Sequence, residues 1–265
     1  MKPKNYIKKV LLNSGLLCKS VTETDKVADL ITKLKPKSIG KEMIRMGPKK
    51  DGGYVLPNDL EGIEACFSPG VEQMSQFEED CLKHSLKIFL ADASVEKPIF
   101  KQDETRFDFL QKYIGTVNNE LFITMDNWVD SAAISSDSDL LLQMDIEYAE
   151  YPALLTISDK LMRRFRILVI EFHGLEKLWD PDFFFIAESV FDKLLHTHTC
   201  VHIHPNNYKR VVKRNDVSIP KAAEFTFLRN DRDTFSDYQK QFPHALDFDN
   251  CSTEKPIILP KNWYK

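Results

Sequence analysis

Short apolar runs alternate with amphipathic stretches along most of this chain. Seven runs have the length and the β-branched or aromatic content of buried strands: EACFS (64–68), KIFLA (87–91), FDFLQKYI (107–114), LLLQM (140–144), RILVIEF (166–172), CVHIH (200–204) and AAEFTFL (222–228). Between them the period lengthens to that of helices: SQFEEDCLKH (75–84), MDNWVDSAA (125–133), AEYPALLTISDKLMRR (149–164) and PDFFFIAESVFDKLLHT (181–197). Pro152 falls in a first helical turn and Pro181 opens the next helix, where the missing N–H does no harm, with Asp180 placed as an N-cap. Strands alternating with helices predict βαβ units and an α/β fold built on a doubly wound, mainly parallel seven-stranded sheet.

Ahead of the first strand, Val27, Leu30, Ile31 and Leu34 recur at helical spacing until Pro36. Residues 1–44 therefore read as an N-terminal helical extension, and residues 45–265 as a Rossmann-like domain. The opening MKPKNYIKKVLLNSGLLCKSV has the basic residues and short apolar run of a signal peptide, but Asn13 and Ser14 interrupt it and no small-x-small site follows. An amphipathic helix is the expectation. The segment DGGYVL (51–56) combines a tight-turn signal with a short strand and predicts either a hairpin beside the ligand-binding edge or a plain surface turn.

Composition narrows the function classes. With 265 residues, 43% hydrophobic and 29% charged, the chain has an ordinary globular balance, and its net charge of −4 argues against nucleic acid and polyanionic acceptors. No run approaches the ~20 apolar residues of a membrane span. The five cysteines are widely spaced, with no CxxC pair, which suits reduced thiols in a cytoplasmic protein; Cys66 and Cys200 sit in strand-like runs and are expected in the core. The sequence carries no signal for oligomeric state.

In doubly wound sheets ligands bind beyond the carboxyl ends of the strands, so the chemistry is sought there. The first strand ends in SPGVE, where Gly70 can take a backbone angle closed to other residues before a helix. The second ends at Asp92, either a turn cap or an acceptor for a ribose. The fourth, fifth and sixth end in Asp145/Glu147, Glu171/His173 and His202/His204. If these were adjacent parallel strands, carboxylates and imidazoles would gather within several ångströms, suited to general base catalysis or to a divalent cation held by mixed ligands. Asp126 either starts its helix or lies near a bound nucleotide. Glu150 and Tyr151 read as the first turn of a helix, where an acid favours the dipole. No G-x-G-x-x-G follows any strand, which disfavours an NAD-linked oxidoreductase.

Taken together, LLLQMDIEYAEYPAL, FITMDNWV, RILVIEFHGL, DGGYVLPNDLEGIEACFSPGVEQMSQFEE, IFLADAS, VHIHPNN and AAEFTFLR resemble the FkbM-type branch of S-adenosylmethionine-dependent methyltransferases, from about Arg45 to Arg229. The resemblance implies a class I methyltransferase fold whose last strand is antiparallel, with S-adenosyl-L-methionine as cofactor and a small-molecule or glycan hydroxyl as acceptor. Carried over by position, it implies donor contacts at Ser68, Gly70, Glu72, Asp92 and Asp145, with Asp126 a further cofactor-binding candidate from its place near a bound nucleotide. His204, His173 and Asp145 are then the candidates for proton removal. Asp145, Glu171 and His204 are the candidates for Mg²⁺ or Mn²⁺, with Tyr54, His202 and Asn206 beside the acceptor. Two departures stand out: Tyr148 replaces the family's glycine, and the first loop is SPGVE rather than GxNxG. A non-catalytic binding module with a degenerate donor site is the alternative they leave open.

Overall fold

All seven apolar runs enter one sheet. The computed structural model describes residues 3–71, 76–96, 107–235 and 237–265. Two helices open the chain, α1 (Pro3–Asn13) and α2 (Thr24–Lys33), followed by a hairpin of β1 (Met43–Met46) and β2 (Tyr54–Pro57). The first half of the sheet then runs β3 (Ile63–Pro69), α3 (Gln76–Lys83), β4 (Lys87–Ala91), β5 (Phe107–Leu110). A small parallel pair, β6 (Tyr113–Ile114) and β7 (Phe122–Ile123), leads into α4 (Met125–Ser131). The second half runs β8 (Asp139–Met144), α5 (Glu150–Thr156), α6 (Asp159–Met162), β9 (Phe165–His173), α7 (Pro181–Thr197), β10 (His198–Pro205), a hairpin of β11 (Val211–Arg214) and β12 (Val217–Pro220), and β13 (Ala222–Arg229).

The strand order is β10-β13-β9-β8-β3-β4-β5. Pairings from β5 through β9 are parallel, and β13 runs antiparallel between β9 and β10. This is the class I methyltransferase arrangement. Strand order reverses between β3 and β8, so the site falls at their carboxyl ends.

Two expected elements divide. The run 107–114 makes β5 and β6, because Lys112 N–H turns back to the carbonyl of Leu110 at 2.8 Å. The helix expected over 149–164 breaks at Ile157, whose ψ of 129° is extended. Ser158 then caps α6 by accepting from Leu161 N–H, and its own N–H donates to Asp126 Oδ2 at 2.9 Å.

Alternation along the strands sends side chains to two cores. One face packs Leu142, Leu168, Ile170 and Phe225 against α2, α4, α5 and α7, and includes Val27, Leu30, Ile31 and Leu34. There Tyr151, Phe172, Phe191 and Phe225 meet edge-on or tilted, the geometry aromatic rings prefer. The opposite face packs Cys66, Leu90, Leu141 and Val169 against α3 and the β1–β2 hairpin. Cys66 and Cys200 are buried, and the described cysteines are free thiols. Among the described residues no helix is long and apolar enough to cross a membrane.

Candidate active site

Two clefts meet at the carboxyl edge of the sheet, on either side of Gly70. The first, of about 630 Å³, opens beyond β3, β4 and β8; Asp92, Ser94, Ile114, Phe122 and Ile146 are on its walls. The second, of about 450 Å³, lies under the hairpin turn and is lined by polar groups including Asp51, Tyr54, Gln143 and Asn250. Gly70, Val71 and Asp145 line both.

Gly70 fits its place for two reasons. Its φ of +84° lies in the left-handed region, and a Cβ there would stand 1.6 Å from the carbonyl oxygen of Asp145. The β3 and β8 ends can close on each other only across a residue without a side chain. Asp145 N–H reinforces the approach by donating to the carbonyl of Pro69 at 3.3 Å.

Asp92 is almost buried at the first cleft. Its Oδ1 accepts from both N–H and Oγ of Ser94, at 2.7 and 2.6 Å, which fixes the carboxylate at the cleft wall. Ser68 stands elsewhere. Fully buried, it joins Glu78 and Gln143, and Gln143 Nε2 donates to the hydroxyl of Tyr54 at 3.0 Å. Burial raises the Glu78 carboxyl above its ordinary value, with the hydrogen bond from Ser68 opposing the rise. The side chains of Ser68 and Asp126 are not on the walls of either cleft. Glu72 lies outside the described residues.

The turn after β8 carries most of the charge. Glu147 and Tyr148 both have positive φ, +48° and +75°. The second strains the backbone, because an L side chain in the left-handed region costs about 1–2 kcal/mol. Glu150, fully buried, holds the turn, its Oε1 accepting from the N–H of Ile146 and of Tyr148 at 3.3 and 3.2 Å. The same oxygen lies 3.0 Å from His173 Nδ1. Glu150 is thus more than a first-turn acid. The Tyr148 ring points away from the first cleft, 5.3 Å from the His173 ring and under the Lys177 ammonium at 4.5 Å.

His173 Nε2 faces carboxylates, with Glu147 and Glu171 at 3.6 Å and Asp145 at 4.0 Å. Burial pulls the imidazole pKa down, but the bond to Glu150 and the surrounding negative charge carry it above its usual value. Asp145 is pushed up to about 7 by loss of hydration, with Glu150 and Glu147 adding to the rise and His173 opposing it. Its Oδ1 is buried without a hydrogen-bond partner.

The expected set of Asp145, Glu171 and His204 does not converge on one point. The strands carrying Glu171 and His204 are not neighbours, because β13 inserts between them and sets Glu224 opposite both. Among the described residues the groups close enough to share a cation are Asp145–Glu147–His173 and Asp51–Glu171–Glu224. His202 and His204 turn instead to Asp247 of the C-terminal tail, at 2.8 and 3.6 Å. Burial works against the Asp247 charge, but these two imidazoles hold its carboxyl well below the usual range. Asn206 donates to Glu171 Oε1 at 2.7 Å, and of the expected acceptor residues Tyr54 alone lines the second cleft.

Asp51, Gln143, Glu150, Glu224, Asp247 and Asn250 escape a reading of strand ends. Glu224 and Gln143 did carry a signal, each a polar residue inside an apolar run, where burial demands a partner. Asp247 and Asn250 carried none.

No family model and no curated protein matches the chain. Among solved structures, the chain is similar to a TehB-like SAM-dependent methyltransferase from Corynebacterium glutamicum, at 15% identity over 86% of this chain and 97% of that one, with a TM-score of 0.32. It is also similar to the N-methyltransferase NodS from Bradyrhizobium japonicum, at 11% identity over 64% and 86% of the two chains, with a TM-score of 0.33. These likenesses add nothing to the reading of the site, which stands on its own geometry.

Proposed function

We propose that the protein is an S-adenosyl-L-methionine-dependent O-methyltransferase of the FkbM type, acting on a hydroxyl of a sugar or glycoconjugate. The observation that carries the reading is the pair of clefts meeting at Gly70 and Asp145 on the carboxyl edge of a sheet with the class I strand order.

The first cleft has the size and mixed lining of a small-molecule site. Asp92 at its wall suits a ribose diol, Ile114 and Phe122 suit an adenine, and the missing Cβ at Gly70 leaves room for close approach. When bound, the donor supplies an electrophilic methyl group. The second cleft holds the acceptor, where a carboxylate, a phenol and two amides match the hydroxyls of a carbohydrate.

An alcohol must lose its proton as it attacks. Asp145 lines both clefts, has an unpartnered oxygen and titrates near 7, the range in which a general base works best. His173 stands behind it, oriented by Glu150 through Nδ1, so that Nε2 is left to share the proton. A divalent cation, Mg²⁺ or Mn²⁺, would be held by the Asp51–Glu171–Glu224 or the Asp145–Glu147–His173 group, and when bound it would orient the acceptor and lower its pKa.

Mass spectrometry of candidate glycans incubated with protein and donor tests the transfer, through a gain of about 14 Da, one CH₂. Loss of this product in EDTA, restored by Mg²⁺ or Mn²⁺, supports the cation; full activity in EDTA removes it.

A further inference from the structure

The cation invoked above has two candidate homes, and we infer that it binds Asp51, on the wall of the second cleft, together with Glu171 and Glu224 buried behind that wall, as an all-oxygen site for Mg²⁺, Mn²⁺ or Ca²⁺. The assignment of a role in transfer rests on the methyltransferase reading, but cation binding itself does not.

Asp51 comes from the hairpin turn, Glu171 from β9 and Glu224 from β13, where the two glutamates stand opposite each other in register. One oxygen from each lies within 4.8 Å of the others. Oxygens that share a cation ~2.1–2.4 Å away lie no farther apart than this. Glu171 and Glu224 are 2% and 4% exposed. Among the described residues no lysine or arginine forms an ion pair with any of the three. The Arg45 guanidinium, whose charge reaches Glu224 without forming an ion pair, hydrogen-bonds instead to the carbonyls of Pro48, Lys50 and Leu246.

Asn250 supplies the second, independent observation. It is 8% exposed and its amide is wedged into the group, with Nδ2 donating to Asp51 Oδ1 at 2.8 Å and to Glu224 Oε1 at 2.7 Å. Its Oδ1 is buried without a partner. One end of the amide is shared between two carboxylates and the other has nothing to accept. A half-turn about the last torsion exchanges Nδ2 for Oδ1 and turns the spacer into a fourth oxygen ligand. Carboxylates with an amide oxygen and no nitrogen or sulfur select hard divalent ions. The Asp145–Glu147–His173 group lacks such an amide, and the free Nε2 of its imidazole is the atom that shares the acceptor's proton in the transfer.

Asp51 is exposed and faces the cleft, so the open side of the ion is turned to the acceptor. Two vicinal hydroxyls complete the coordination there, beside Gly70 and Asp145, which also border the donor cleft. The ion acts as a template that fixes which hydroxyl meets the methyl group.

The test is an Mn²⁺ titration of EDTA-stripped full-length protein, followed by electron paramagnetic resonance without donor or acceptor. One bound Mn²⁺ is expected. Asp51→Asn and Glu224→Gln should each weaken it at least tenfold, and Glu147→Gln should leave it within twofold. Asp51→Asn changes an exposed turn residue, so it keeps the test valid if Glu224→Gln fails to fold. No bound Mn²⁺ in the wild type, or a site lost in Glu147→Gln and kept in Asp51→Asn, overturns the assignment. Calorimetry with S-adenosyl-L-methionine on the same preparations separates the claims: donor binding without Mn²⁺ sinks the cation site alone, and Mn²⁺ without donor leaves the site standing and sinks the methyltransferase reading.

Discussion

Gly70→Ala is the sharpest perturbation of the partition between the two clefts. The added methyl would lie 1.6 Å from the carbonyl oxygen of Asp145 and 2.6 Å from its carbon, so the backbone after β8 must retreat by more than an ångström. Neither side yields easily. Gly70 N–H is bonded to Ala91 at 3.1 Å, and Asp145 N–H to Pro69 at 3.3 Å. The φ of +84° costs an alanine about 1–2 kcal/mol, and forcing a methyl into a closed space costs about 1–3 kcal/mol more. A destabilisation of about 2–5 kcal/mol is expected from urea unfolding, which lowers the melting temperature by roughly 5–15 °C for a chain of this size. Gly15→Ala is the control, because its φ is +81° and nothing lies within 4 Å of the added methyl. It should cost only the backbone share, about 1–2 kcal/mol. The displaced Asp145 should also weaken donor binding in Gly70→Ala, read by calorimetry with S-adenosyl-L-methionine. A Gly70→Ala protein as stable as Gly15→Ala, binding donor normally, would refute the close approach of β3 and β8.

Three further expectations follow from single networks. Glu150→Leu strips the acceptor from Ile146 N–H, Tyr148 N–H and His173 Nδ1, and should cost at least about 3 kcal/mol in urea unfolding; less than about 1 kcal/mol contradicts its hold on the turn. Ser68→Ala leaves Gln143 and Glu78 short of a partner and should cost about 1–3 kcal/mol while donor affinity stays within twofold, since Ser68 is not on either cleft wall. His198, buried with Nε2 2.8 Å from the carbonyl of Phe165, is pulled down to about 4 by burial. Between pH 6.5 and 4 the unfolded chain binds the extra proton and the fold does not, so stability contributed by this group falls with pH, by about 3 kcal/mol over that window. Urea unfolding across that range should show the wild type losing more stability on acidification than His198→Gln; parallel profiles contradict the assignment.

The sheet was legible because its strands are buried on both faces and read as continuous apolar runs, as KIFLA and RILVIEF do. Helix α7 was legible because Asp180 and Pro181 mark its start. The break at Ile157 was hidden, since the Asp126 carboxylate that holds Ser158 comes from another helix. In the site, Gly70, Asp92 and Asp145 were found as strand ends of parallel neighbours. The grouping of Glu171 was not, because an antiparallel β13 between β9 and β10 cannot be read from local pattern and it replaces His204 with Glu224 beside it. Asp51 and Asn250 lie 199 residues apart along the chain and meet through two hydrogen bonds, one between side chains and one between backbones. Tyr148 read as a departure that threatened the donor site; the fold shows its cost in backbone strain, with the ring turned over His173 instead.

The central claim is that the cleft beside Asp92 holds S-adenosyl-L-methionine, and calorimetry of the full-length protein with this donor tests it most directly. Saturable binding is predicted, weakened at least about tenfold in Asp92→Ala through loss of a charge-assisted hydrogen bond. A folded wild-type protein that gives no binding heat at millimolar donor would contradict the account.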